Sequence, residues 1–172
     1  MKGSRSIKLA FIILADHVDI DVYYDVLFTY RRLREKFLTT GSARFLGIPF
    51  RFPSKFPLPT QQAARAYLWL HEQDCAQARA FAHATYRALF VDDRDISGPD
   101  TVLDIAAGLG VDRQALAAAL GGPELKERLK AEVETAMAAG VFGSPTVVVD
   151  GEMFFGADRL PQLERWLAEG GF

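Results

Sequence analysis

The chain of 172 residues contains a single cysteine, Cys75. One thiol excludes a disulfide within the chain, a CxxC dithiol and a cysteine-rich metal site. Any thiol chemistry must therefore take its sulfur from a ligand. An excess of charge is lacking too: 20 basic residues against 22 acidic ones leave a net charge of −2. That balance gives no electrostatic footprint for nucleic acid or an anionic membrane. Long apolar runs are missing, and no stretch approaches the roughly 20 residues of a transmembrane helix. Leu9 to Ala15 has the minimum length of a signal-peptide apolar segment. It leads into Asp16-His17-Val18-Asp19 rather than a small-residue cleavage pattern. The expectation is a cytoplasmic protein with no membrane and no nucleic-acid partner.

What is present is apolar bulk: 49% of residues are hydrophobic and 13 are phenylalanine. Such a chain buries a proper core, as one domain or as one domain with a large insertion.

The richest stretch lies near the C-terminus, from Val141 to Leu160. Val147, Val148 and Val149 favour an extended backbone, because branching at Cβ restricts χ1 and packs well on a pleated surface. Asp150-Gly151 is a two-residue hairpin signal, and Glu152 to Phe155 is the returning strand. Gly156-Ala157-Asp158 leads into a helix through Leu167, with Asp158 placed as its N-cap and Pro161 in the first turn. Ser144-Pro145 opens the hairpin. A proline there sits at a strand's first position, where no ladder donor is lost. From spacing alone the plainer reading is an ordinary loop-to-strand turn. A cis bond would instead leave the Ser144 backbone open to pair with an extended ligand.

The run Val141-Phe-Gly-Ser-Pro-Thr146, followed by Asp150-Gly-Glu-Met-Phe-Phe-Gly-Ala-Asp-Arg-Leu160, resembles the C-terminal signature of the 2-hydroxychromene-2-carboxylate isomerases. These belong with the kappa-class glutathione transferases and the DsbA-like proteins. The fold so implied is α/β: a thioredoxin-like sheet with an all-helical insertion. Residues 1–45 and 140–172 are then the thioredoxin-like domain and 46–139 the helical insertion. The resemblance also implies a glutathione-dependent isomerase acting on a small molecule. A homodimer, common among relatives, is the expected assembly. Glutathione's cysteinyl backbone would pair with Ser144 at Pro145. Asp158 and the backbone of Ala157 would meet its γ-glutamyl end, a role that a plain helix cap at Asp158 does not exclude.

The N-terminal part departs from that family. Ile7 to Leu14 reads as a buried strand, Val18 to Val26 as an alternating one, and Phe28 to Leu38 as a helix. Asp21 to Tyr30 resembles the family's opening strand and helix entry, but the Ser-Pro pair that in the family shortly follows the strand's closing Asp is absent here. Thr29 is the candidate hydroxyl left to meet the glutathione sulfur. Lys36 to Gly41 then runs almost directly into Ala43 to Pro53, where the family has a further strand and much of a helix. The N-terminal part is thus shortened or rearranged, with Ile7 to Leu14 filling the vacated sheet position. Asp16, His17, Asp19 and Asp21 lack the spacing of a calcium loop and read as a solvated face.

Ile48 to Pro59 is interrupted by four prolines and is therefore extended. It resembles the family's active-site loop, with Pro59 where the family more often has asparagine. Thr60 is placed to cap one helix running from Gln61 to about Val91. On it, Cys75, Ala78, Phe81, Ala82, Thr85 and Leu89 form one stripe, which makes Cys75 a buried packing residue. His71 lies one turn away, and two groups without a third partner make no nucleophile site; His71 and His83 lack zinc spacing, and no metal is expected. Helices follow at 99–107, 112–120 with Asp112 as N-cap, and 123–139. A second function fits the same residues: a degenerate thioredoxin-like protein that binds glutathione or a peptide without catalysis.

Overall fold

The computed structural model describes residues 7–10, 40–45, 47–143 and 146–172. The strand at Val18 to Val26, the acidic cluster at 16–21, the helix at Phe28 to Leu38, Thr29, Ser144 and Pro145 lie outside the described residues. The elements in chain order are β1 (Ile7–Ala10), α1 (Thr40–Phe45), α2 (Gln61–Gln73), α3 (Cys75–Phe90), α4 (Pro99–Ala107), α5 (Arg113–Gly121) and α6 (Glu124–Ala138). Then come β2 (Thr146–Val149), β3 (Glu152–Phe155), a 3-10 turn (Ala157–Arg159) and α7 (Leu160–Glu169). The chain divides into two compact units, 1–13 with 130–172, and 14–129. The boundary falls inside α6.

The first unit carries a three-stranded sheet in the order β1-β2-β3, antiparallel throughout. Ile7 to Ala10 thus takes a sheet position beside β2, as the N-terminal strand was expected to do. At the hairpin, Asp150 and Gly151 both have positive φ (54° and 89°), which gives a two-residue turn the strands' own twist. Val149 and Thr146 are fully buried, and Phe154 packs edge-on against Trp166 of α7 at 5.8 Å. Phe172 folds back onto the same indole at 5.2 Å. α7 closes on Gly170, whose φ of 89° is the left-handed cap that glycine accepts without strain.

The second unit is helical. Its core gathers Ala66, Leu70, Phe81, Val102 and Leu116, with Leu89, Ile105 and Leu120 around them. α4 starts at Gly98-Pro99, where proline's missing N–H removes a donor that has no helical partner anyway. α5 is capped by Asp112, whose carboxylate accepts the N–H groups of Gln114 (2.8 Å) and Ala115 (3.1 Å). Arg113 ties α5 to α4 through Asp104 and, at 3.3 Å, Asp100.

The single helix expected over 61–91 is corrected to two. Asp74 is extended (φ −154°, ψ 109°), and its side chain accepts the Ala76 N–H at 2.7 Å as the N-cap of α3. An aspartate satisfies backbone donors locally, so it competes with helix continuation. The break displaces Cys75 from the stripe. Ala78, Phe81, Thr85 and Leu89 are buried as expected and Ala82 is half-buried, but Cys75 is exposed, its Sγ 3.7 Å from His71 Nε2. The Thr60 side chain makes no capping hydrogen bond on α2.

Candidate functional site

In the sheet unit the described candidate residues, Ala157 and Asp158, follow β3 at the open end of the β2–β3 hairpin, where Thr146 pairs with Phe155. The β2 end is latched by Thr146, a buried residue whose hydroxyl donates to the Gly143 carbonyl at 2.5 Å. That bond satisfies a buried polar group and fixes the chain entering β2. Sequence reasoning passed over Thr146, although a hydroxyl directly after a Gly-Ser-Pro turn is a signal for such a latch.

Beyond β3 the expected cap is corrected. Asp158 lies inside the 3-10 turn, α7 begins after Arg159, and no side chain caps α7. The reason is Gly156, whose φ of 102° swings the chain into the turn, with Arg159 N–H donating to Gly156 O at 3.1 Å. A Cβ at Gly156 would meet the Asp158 carboxylate oxygen. Asp158 is 80% exposed and makes a loose ion pair with the neighbouring Arg159, 3.8 Å from its Nε. The turn's first N–H groups, at Ala157 and Asp158, precede its first internal hydrogen bond. The turn therefore offers a carboxylate beside backbone donors, a pairing that suits an α-amino acid end group.

In the helical unit, residues 48–59 are non-helical as expected, though bent at Ser54, Lys55 and Pro57 rather than extended throughout, and are held by partners about forty residues away. Arg51 N–H donates to Phe90 O at 2.5 Å, and Ser54 N–H to Asp93 Oδ1 at 2.6 Å. Arg51 pairs with Asp93 at 3.1 Å and Lys55 with Asp95 at 2.7 Å. Asp95 also accepts the Ser97 N–H (2.9 Å) and hydroxyl (2.5 Å). Phe50 stacks on Phe90, while Phe52 and Phe56 meet edge-on at 5.1 Å and stay partly exposed as an aromatic wall. Directly after the loop, Gln62 Oε1 and Arg65 Nε on α2 are buried without a hydrogen-bond partner among the described residues.

The Ser54 N–H holds the Asp93 carboxyl below its ordinary value, with Arg51 assisting. The Lys55 ammonium, followed by Ser97, holds Asp95 well below the carboxylate range. Both groups are lowered on folding, so their stabilisation is complete above about pH 4 and is lost as pH falls through the folded values. Asp95→Asn is expected to be less stable than wild type at neutral pH, with the two thermal-unfolding curves converging as the pH drops below about 4. A difference that persists unchanged in acid would count against this anchoring.

No helix among the described residues is long and apolar enough to cross a membrane.

A family model described as the DSBA-like thioredoxin domain matches residues 38–168. A 2-hydroxychromene-2-carboxylate isomerase of Sphingobium xenophagum is 31% identical over 125 residues, which cover 71% of this chain and 60% of that protein. The match thus spans less than two thirds of the relative's length. Among solved structures, one of 2-hydroxychromene-2-carboxylate isomerase superposes with a TM-score of 0.67 at 24% identity, covering 91% of this chain and 71% of the other. Pseudomonas aeruginosa DsbA superposes at 0.53 with 23% identity, over 70% of this chain and 65% of the other. These likenesses agree on an α/β, thioredoxin-like architecture with helices, and the match covers most of the chain. The chain belongs to the DsbA-like thioredoxin domain family.

Proposed function

We propose that this protein is a glutathione-dependent isomerase acting on a hydroxychromene carboxylate or a similar aromatic-derived enone. The observation that carries the reading is the match to the isomerase of Sphingobium xenophagum, over 71% of this chain. Asp158 would hold the ammonium of the γ-glutamyl end and the Ala157 and Asp158 N–H groups its carboxylate. The exposed position of Asp158 in the turn supports this. Ser144, ahead of Pro145, would pair with the cysteinyl backbone. Glutathione, when bound, supplies a thiolate that adds to the substrate and leaves again after bond rotation. Thr29 would donate a hydrogen bond to that sulfur; a charge-assisted bond of about 1.5–3 kcal/mol lowers a thiol pKa by one to two units.

Dithiol exchange is a poor alternative, because the chain has one cysteine. Binding without catalysis is favoured by the lack of the family's Ser-Pro pair in the neighbourhood of Thr29, by the shortened N-terminal part and by Pro59. Calorimetry with glutathione separates the cases. Binding at micromolar to low-millimolar levels is expected, weakened about tenfold or more in Asp158→Ala, the loss of one charged hydrogen-bonding partner. A chromene isomerisation assay on wild type and Thr29→Val then tests catalysis. No binding of glutathione to the wild type would remove the enzyme reading; binding without turnover would leave the binding protein.

A further inference from the structure

We propose that the open edge of β3 docks an extended segment of a partner protein, one with an aromatic residue two positions ahead of a lysine or arginine. Among the described residues β3 is paired on one side only, with β2. The two-residue hairpin makes Val149 and Glu152 a hydrogen-bonded pair, and the register makes Val147 and Phe154 the next. Antiparallel alternation then turns the N–H and C=O of Met153 and Phe155 to the open edge. A strand added there gains main-chain hydrogen bonds, and the side chains beside the edge decide which strand it is.

A groove of about 350 Å³ runs beside this edge, between the strand and the Arg159, Gln162, Trp166 and Phe172 side chains. That is room for a few residues of extended chain, at the small end of ligand pockets. Phe154 meets the Trp166 indole edge-on at 5.8 Å and Phe172 meets it at 5.2 Å, so three rings form an apolar slot on the face that α7 covers. Glu152 shares that face, because residues two apart in a strand point the same way. An antiparallel segment bonded to Met153 and Phe155 sets one residue opposite Phe154 and, two positions on, another opposite Glu152. Both lie on the groove side. The first position suits an aromatic ring and the second a cation, the cross-strand pairs that stabilise a sheet.

Charge fixes the second position. Glu152 is exposed and engages no ion pair or hydrogen bond among the described residues. Asp150, in the adjoining turn, adds a second carboxylate to that end. The other charges around the groove already face opposite ones. Arg159 lies 3.8 Å from the Asp158 carboxylate and donates to Gln162 Oε1 at 3.3 Å. Arg165 is held by Glu169 at 3.0 Å, with its guanidinium over the Phe172 ring. The groove is therefore negative at the Glu152 end and matched at the other, which calls for a basic segment. A second copy of β3 is a poor occupant. Paired on the same outward groups, it sets Gly156 opposite Glu152, with the exposed Asp158 carboxylate beside it and no cation in register.

The inference does not rest on glutathione binding, and its test leaves glutathione out. The full chain, labelled for amide NMR, is titrated with the peptide acetyl-Thr-Thr-Phe-Thr-Lys-Thr-amide. The Met153 and Phe155 amide signals should shift, with a dissociation constant in the millimolar range or below. Replacing the peptide's lysine by glutamate, or its phenylalanine by alanine, should weaken binding about fivefold or more. Methylating the backbone nitrogen of the threonine between them removes a donor to the edge and should abolish binding. In Glu152→Lys the preference should reverse, with the glutamate peptide binding better than the lysine one. No shift with any peptide, equal affinity for the lysine and glutamate peptides, or tolerance of the methyl group overturns the proposal. So does a preference that Glu152→Lys leaves unchanged. A shift of the Met153 and Phe155 signals with protein concentration alone also overturns it, since a second copy then covers the edge. Should Glu152→Lys fail to fold, the peptide series on wild type decides.

Discussion

Phe81→Ala is expected to lower the stability of the protein by about 3–5 kcal/mol, the usual cost of truncating a buried phenylalanine. Phe81 is 1% exposed and sits on α3 in the cluster with Leu70, Val102 and Leu116. Helices α2, α4 and α5 supply those neighbours, so no single side chain can relax into the space. The loss combines the transfer free energy of the ring with the cavity left behind. Against a typical stability of about 5–15 kcal/mol it is a large fraction. At roughly 2–4 °C per kcal/mol for a chain of this size, the melting temperature should fall by about 10 °C. Phe81→Leu keeps most of the volume and should lose clearly less. Thermal and denaturant unfolding measure both; a loss under about 1 kcal/mol for Phe81→Ala would show that the helical core is not packed around this ring.

Gly156→Ala is expected to weaken glutathione binding about tenfold or more while leaving the protein folded. A φ of 102° is a backbone conformation that side chains rarely adopt, and a Cβ there would press on the Asp158 carboxylate. Strain of this kind costs about 1–3 kcal/mol. Part of it is relieved by moving Asp158 and the 3-10 turn, which is the proposed γ-glutamyl site. Gly151→Ala is the control. Gly151 also has positive φ (89°), but a Cβ there meets nothing within 4 Å. It should lose about 1–2 kcal/mol of stability, the left-handed penalty alone, with glutathione affinity unchanged. Calorimetry on both variants gives the answer. Equal effects of the two on binding would show that the turn at 157–159 does not contact glutathione.

The single cysteine excludes dithiol chemistry by itself, and the strongest local signals are equally self-sufficient. Asp150-Gly151 forms the hairpin because both residues accept positive φ. Asp112 caps α5 because its short carboxylate reaches the first helical N–H groups. The prolines between Ile48 and Pro59 keep that segment out of helix. The Val141 to Leu160 signature pointed to the chain's relatives, since twenty residues in order and spacing carry more information than composition does. Each of these depends on neighbours close in sequence.

Tertiary structure decided what depends on distant partners or on competition between two local choices. Periodicity ran one helix through Asp74, because an apolar stripe at spacings of three and four does not register a residue that prefers to cap. With the break, Cys75 moved from core to surface. Asp158 looked like a helix cap, yet the φ of Gly156 starts the turn earlier and leaves the carboxylate exposed beside Arg159. The anchors of the loop at 51–55 are Asp93 and Asp95, about forty residues away, and no local pattern pairs them. The place of β1 beside β2 brings together residues some 140 positions apart in the chain. Short-range propensity chose the elements here, while hydrogen bonds between distant segments chose which of their faces and ends were left for function.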